Sequence, residues 1–293
     1  MVELDKKMLR QLQLIQLEML IEVDRICKKC NIHYNIIAGT LLGAVRHGGY
    51  IPWDDDADVA FLRQEYEKFR KACETELDTS RFYFQDHRNT DGYRWGYGKL
   101  RRKDTLFLRE HQEHMPYEQG VFIDIFPLDG VPDNYLKRCW HNFHCFCIRK
   151  VLWSEVGKIA DKSRSMRAWY RILSKLPRAM IMQYYDKMVI HSNKTQTKLV
   201  RILLFPTPND TFGYYRNWYE ESILIEFEGY VFQGIKDYEG YLRFKFGDFM
   251  KLPPIEQRKV HPVSRIKLID IYENADDYSS CRSRKVREEL NYG

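Results

Sequence analysis

Gly39-Thr-Leu-Leu-Gly-Ala-Val-Arg-His-Gly-Gly-Tyr-Ile-Pro-Trp-Asp-Asp-Asp-Ala-Asp-Val59 gathers four aspartates at positions 54, 55, 56 and 58. Neighbouring carboxylates repel, and a divalent cation with its preference for hard oxygen ligands removes that cost. The alternation of Asp56-Ala-Asp-Val-Ala-Phe61 predicts a half-buried strand. Residues two apart on a strand share a face, so Asp56 and Asp58 can grip one metal together. Asp54 joins that face if the strand begins early, and Asp55 points away. Asp54 and Asp55 also suit turn or capping chemistry. Upstream, His33–Ala38 reads as a buried strand and Thr40–Val45 as a short helix. Gly39-Thr40 therefore lies at a strand-to-helix junction, where free N–H groups and the helix dipole favour a phosphate and Thr40 offers a hydroxyl. Arg46 and His47 follow that helix and can pair with a phosphate. Gly48-Gly49 permits a tight turn.

Further along, Asp124 sits among apolar residues in Phe122-Ile-Asp-Ile-Phe126. A charge in the middle of a buried strand is expensive without a partner. Proximity to Asp56 and Asp58 would supply the reason. Three carboxylates on adjacent strands can hold Mg²⁺, or Mn²⁺, for an in-line displacement at phosphorus.

Helices and strands alternate around these motifs. Met8, Leu12, Ile15, Met19, Val23 and Ile26 mark an amphipathic first helix that ends near Cys30-Asn31. A helix over Gln64–Leu77 follows, then strands at Arg81–Phe84, Tyr97–Leu100 and Val121–Phe126. A mostly helical stretch runs from Asp133 to Leu204. After Pro206 and Pro208 come short strands within Ser222–Val231, a helix over Tyr238–Phe246 and an irregular tail from Leu252. The pattern predicts an α/β (α+β) fold, a mixed sheet flanked by helices with a basic helical insertion. It divides into a catalytic core at 1–131, an insertion or lid at 132–204, and a part at 205–293 that completes the core and the acceptor side.

The chain has 293 residues and a net charge of +6, with a mean hydropathy of −0.55. These values exclude a disordered chain. No stretch has the length and composition of a membrane span, and the first residues lack the form of a signal peptide. Seven scattered cysteines suggest reduced thiols. A cytoplasmic location is expected. Between Pro132 and Leu204, fifteen Lys and Arg face four Asp and Glu. That surplus suits a polyanion or an anionic membrane surface, or simply a solvated helical face. Ser165–Leu176 mixes Trp, Ile and Leu with Arg and Lys, as interfacial helices do, and fits a lid equally well. Cys139-Trp-His-Asn-Phe-His-Cys-Phe-Cys147 lacks the second ligand pair of a zinc site, so a packed helix is expected there.

Three blocks give the chain a resemblance to the LicD family of phosphocholine transferases, within the nucleotidyltransferase-fold superfamily. They are Gly39–Val59, Gly120–Asp129, and Tyr238–His261 with its Phe-Gly-Asp-Phe-Met-Lys-Leu-Pro-Pro core. Ala57 replaces a usual Ile, and Phe246 and Phe249 stand where Tyr is common. The resemblance implies a nucleotidyltransferase-like fold in which Gly39-Thr40, Asp56/Asp58 and Asp124 match the superfamily pattern one by one. It implies a metal-dependent transfer of phosphocholine from CDP-choline to a hydroxyl of a cell-surface glycan of teichoic acid or lipopolysaccharide type, with release of CMP. The fukutin-like relatives transfer phosphoribitol instead. Asp124 would serve as metal ligand and as acceptor of the sugar hydroxyl proton. Lys99 matches a family strand and is either a phosphate partner or a surface strand lysine. Aromatic faces hold quaternary ammonium groups, and 14% of the residues are aromatic. Trp95, and after it Trp53, Tyr93, Tyr97, Tyr117 and Phe122, are candidates for such a cage. Nucleic acid is not an expected partner. The rival readings are a nucleotide-sugar glycosyltransferase, a non-catalytic choline- or polyanion-binding module, and nucleotidyl transfer to a small molecule.

Overall fold

The computed structural model describes residues 2, 4–207, 211–258 and 260–270. Pro208 and the tail 271–293 lie outside the described residues. Helix α1 (Lys6–Cys30) begins where Asp5 accepts a bond from the Met8 N–H at 2.8 Å and ends at Asn31, whose left-handed conformation closes the helix. Its stripe of Leu12, Ile15, Met19, Val23 and Ile26 is fully buried, whereas Met8 is half-buried beside the buried Leu9.

The chain then alternates through β1 (Asn35–Ile36), α2 (Ala38–His47), β2 (Asp58–Leu62), α3 (Arg63–Glu76), β3 (Phe82–Gln85), β4 (Gly98–Arg102), β5 (Leu106–Arg109) and β6 (Phe122–Val131). The helical segment is α4 (Tyr135–Ala160), α5 (Arg164–Leu173) and α6 (Arg178–Ser192), followed by β7 (Leu199–Arg201) and β8 (Tyr214–Tyr215). The hairpin β9 (Ser222–Phe227) and β10 (Tyr230–Ile235), helix α7 (Tyr238–Phe246) and β11 (Val263–Lys267) complete the described chain. The main sheet runs β3-β4-β6-β2-β1-β10-β9, with β7 paired to β6 and β8 to β7. It is mixed, with β2 parallel to β6 and β1 parallel to β10.

Two expectations are corrected. The strand placed at Asp56–Phe61 starts at Asp58, so Asp56 belongs to the loop before it. The tail from Leu252 is not wholly irregular, because Val263–Lys267 pairs antiparallel with β5 in a small second sheet. Strand β6 is also longer than read, and it contains Pro127. That proline falls between Ile125, the last residue paired with β4, and Asp129, the first paired with β7. On that edge its missing N–H has no ladder partner to disappoint. The helical segment has a small core of its own, which includes Cys145, Leu152, Met182 and Tyr185.

Candidate active site

The register of the sheet assembles the site. Asp58 of β2 stands opposite Asp124 of β6, and Asp124 opposite Lys99 of β4. Three charged residues therefore form a row across three adjacent strands. Lys99 is buried, and its ammonium donates to the Asp124 carboxylate at 2.5 Å. It also lies 3.2 Å from the centre of the Phe122 ring. Burial pushes Lys99 down to about 7 against the pull of Asp124. The reading of Lys99 as a surface strand lysine is thus overturned.

Asp56, Asp58 and Asp124 line one cavity of about 110 Å³ together with Arg109, Lys245 and His261. Burial raises the Asp58 carboxyl well above its ordinary range, and Asp56 and Asp124 raise it further. Burial also raises Asp56, opposed by His261. Asp54 is pushed up to about 8 by burial and by Asp56. Burial and mutual repulsion thus penalise the ionised forms of Asp54, Asp56 and Asp58, a cost that a bound divalent ion relieves. The carboxylate oxygens of Asp56, Asp58 and Asp124 do not all approach within 4.8 Å of one another. Among the described residues, the metal-ready group within that distance is Asp55, Asp56 and His261. The Cys139–Cys147 run forms no such group there. His141 pairs with Ser192 at 2.9 Å instead.

The sequence reading turned Asp55 away from the metal face, and the structure shows what it meets. Asp55 is buried and accepts from the His261 N–H at 3.1 Å and from its Nδ1 at 2.9 Å. The acid loop is pinned from beneath by helix α1. Gln13 donates to the Asp54 carbonyl at 2.9 Å and Gln16 to the Asp55 carbonyl at 2.8 Å. Thr40, in the first turn of α2, is buried, and its Oγ1 accepts the Asp58 N–H at 2.8 Å. That bond sets the start of β2 and leaves the hydroxyl proton for another partner.

Gly39 faces Asp54 so closely that a β-carbon there would lie 2.5 Å from a carboxylate oxygen. Gly39→Ala is therefore expected to displace Asp54 while costing under about 1 kcal/mol of stability, because alanine favours the helix. A thermal melt of Gly39→Ala against the parent checks the stability half of this expectation.

The other sequence candidates divide between two grooves. Arg46 donates to the Phe249 carbonyl at 2.8 Å and to the ring of the exposed His47 at 3.0 Å. Arg46, Trp53, Asp54, Asp56, Lys245 and Lys251 line a groove of about 640 Å³. The Arg258 guanidinium covers the Trp53 ring at 4.5 Å. Trp95 donates to the Tyr117 hydroxyl at 3.2 Å and lies in a cleft of about 430 Å³ with Tyr97, Arg149, Lys150, Trp153 and Phe205. Tyr97 and Phe205 line both that cleft and the acid cavity, so the two adjoin. Tyr93 is fully buried core.

The family model described as "LicD/FKTN/FKRP, nucleotidyltransferase domain" matches residues 31–154, which contain Gly39-Thr40, all four clustered aspartates, Lys99 and Asp124. Over 279 residues the chain is 28% identical to the lipopolysaccharide cholinephosphotransferase LicD of Haemophilus influenzae, across 90% of this chain and 99% of that one. Residues 31–154 thus match the LicD family model, and the chain resembles a LicD protein over most of its length. Shorter matches link the chain to two uncharacterized rickettsial proteins. One, from Rickettsia typhi, is 40% identical over 67 residues, 23% of this chain and 20% of that one. The other, from Rickettsia prowazekii, is 48% identical over 44 residues, 15% of this chain and 16% of its own.

Sequence reasoning did not single out Arg109, Lys245 or His261. Lys245 and His261 lie inside the third resemblance block, so a signal for them existed. Arg109 carried none. Gln13 and Gln16 had a weaker signal, as polar residues on the mostly apolar buried face of an amphipathic helix.

Proposed function

We propose that this chain is a LicD-family phosphocholine transferase that moves the group from CDP-choline to a hydroxyl of a cell-surface glycan and releases CMP. The observation that carries the proposal is the row Asp58–Asp124–Lys99, whose two acids join Asp56 in lining a cavity with aromatic walls. A full-length relative named as a lipopolysaccharide cholinephosphotransferase supports it.

Carboxylate oxygens are the hard donors Mg²⁺ takes, and those of Asp56, Asp58 and Asp124 must draw together from their present spacing to share one ion. Asp56, Asp58 and Asp124 would hold the ion, which would supply neutralising charge to the diphosphate. Arg109 and Lys245, on the same cavity, would hold phosphate oxygens and take up charge as CMP leaves. Asp124, fixed by Lys99, would accept the proton of the acceptor hydroxyl as its oxygen attacks phosphorus. The bond to the bridging oxygen of CMP then breaks, and CMP departs with that electron pair. The trimethylammonium group would lie against Tyr97, Phe205, Tyr214 and Tyr241, which share the cavity with the acids. An aromatic face backed by a carboxylate is the favourable setting for such a cation. The Trp95 cleft suits it less, because Arg94, Arg149 and Lys150 line it without an acid.

Turnover with CDP-choline, CDP-ribitol, CTP and UDP-glucose, each with and without Mg²⁺, tests the proposal. Mg²⁺-dependent CMP release from CDP-choline is expected. A preference for CDP-ribitol would move the activity to the fukutin-like branch, and turnover of UDP-glucose or CTP alone would overturn it.

A further inference from the structure

Fourteen of the twenty-one large apolar side chains exposed among the described residues lie between Tyr135 and Ile190. Such a concentration of exposed apolar side chains in one segment points to contact with something else. Its composition is most pointed around α5. From Lys162 to Tyr185 the chain carries six Lys and Arg and no Asp or Glu.

The arrangement on α5 is ordered. At 100° per residue, Met166, Trp169 and Ile172 fall on one side of the helix and Arg164, Arg167 and Arg171 on the opposite side. Trp169 is 52% exposed and Ile172 59%. The helix rests on the body by a narrow edge. Tyr170 is its buried residue, packed where a β-carbon on Gly157 would lie 2.6 Å from the ring. Lys150 donates to the Tyr170 hydroxyl at 3.1 Å. Among the described residues, Lys162, Arg164, Arg171 and Lys175 make no ion pair with an acid, whereas Arg178 pairs with Asp91. No helix there is long and apolar enough to cross a membrane.

We infer that α5 is a peripheral docking helix for an anionic lipid bilayer. Trp169, Ile172 and Met166 enter the boundary between headgroups and acyl chains, while Arg171, Lys175 and their neighbours meet anionic headgroups. An apolar face with Trp opposite a face of Arg and Lys is the pattern that lies in a membrane interface. The absence of any acid over 24 residues supplies the charge complementarity. The location also makes sense of the cleft. Lys150, which anchors α5, lines it with Arg149 and Trp153, and the cleft adjoins the acid cavity. Docking through α5 would set the mouth of the cleft close to the lipid surface.

The test is co-sedimentation of the full chain with vesicles of phosphatidylcholine alone, or with roughly one third phosphatidylglycerol, at low and high salt. No donor or acceptor is needed, so the result does not depend on the proposed reaction. Binding is expected only with the anionic vesicles and should weaken with salt. The pair Arg171→Gln and Lys175→Gln should lower the partition coefficient about 25-fold, on the basis of about fivefold per cation. Trp169→Ser with Ile172→Ser should lower it at least tenfold with an unchanged melting temperature, since both side chains are exposed. Trp fluorescence should shift to the blue with anionic vesicles and do so less in Trp169→Phe. Failure to bind anionic vesicles would overturn the inference. So would binding that the α5 variants leave intact. Two further outcomes would also reassign the face. A parent dimer that the variants convert to monomer would make it a self-association surface. Displacement by soluble polyphosphate without any effect of Trp169→Ser would assign the cations to a polyanion.

Discussion

Asp58→Asn is expected to lower Mg²⁺-dependent CMP release by about a thousand-fold or more, with a melting temperature in metal-free buffer equal to or above that of the parent. The two effects have one cause. Burial and the nearby Asp56 and Asp124 hold the Asp58 carboxyl well above its ordinary range, so its ionised form is a cost to the folded chain. Asparagine keeps the shape and removes the charge. The same charge is what the proposed reaction uses to hold the metal against the diphosphate. The parent should therefore gain stability on adding Mg²⁺, by about 2.7 kcal/mol at a hundredfold excess over the dissociation constant. The variant should gain much less. Thermal melts with and without Mg²⁺, set beside CMP release, check both halves. A variant that keeps activity would remove Asp58 from the machinery. One that loses both activity and metal-free stability would make Asp58 a structural residue.

The legible parts of this fold are those written in local patterns. Helix α1 ends at Cys30 because Asn31 takes the left-handed cap, and α7 spans Tyr238–Phe246 between Asp237 and Gly247. Both boundaries follow from residue types next to one another in sequence. The acids were equally visible, because aspartates at 54, 55, 56 and 58 and one amid Phe and Ile violate the ordinary composition of strands. Strand β5 was not visible. Leu106–Arg109 is four residues long and is held by Val263–Lys267, more than 150 positions away. Nothing local encodes such a pairing. Lys99 fails for a related reason. Its own strand reads as ordinary, and its burial depends on the antiparallel register that sets it opposite Asp124. The strand expected at Asp56 begins at Asp58 because Thr40, on a different element, takes the first N–H.

Asp129→Ala is expected to destabilise the protein by roughly 3–5 kcal/mol. Asp129 is fully buried at the end of β6, and Arg63 of α3 grips it through two bonds of 2.7 Å. Asn193, just past α6, donates to the same carboxylate at 2.7 Å and accepts the Gly130 N–H at 3.2 Å. Burial alone would lower Arg63, yet Asp129 holds it above its ordinary value. Removing the acid leaves the buried guanidinium with the half-exposed Glu67, 3.1 Å away, as its remaining acid partner, and most of the penalty is desolvation rather than the worth of the pair. The double variant Arg63→Met with Asp129→Leu should recover most of the loss, since an apolar pair of similar bulk needs no partner. Urea denaturation of the two variants against the parent measures the difference. A loss under about 1 kcal/mol for Asp129→Ala would mean that water reaches Arg63 and the pair is not structural. The same anchor bears on the site. Tyr185 of α6 donates to the Gly96 carbonyl at 2.7 Å, between Trp95 and Tyr97. If Asp129 is what seats α6 on the sheet, its loss should raise KM more than it lowers kcat, because the cleft wall loosens while the row Asp58–Asp124–Lys99 keeps its strand register.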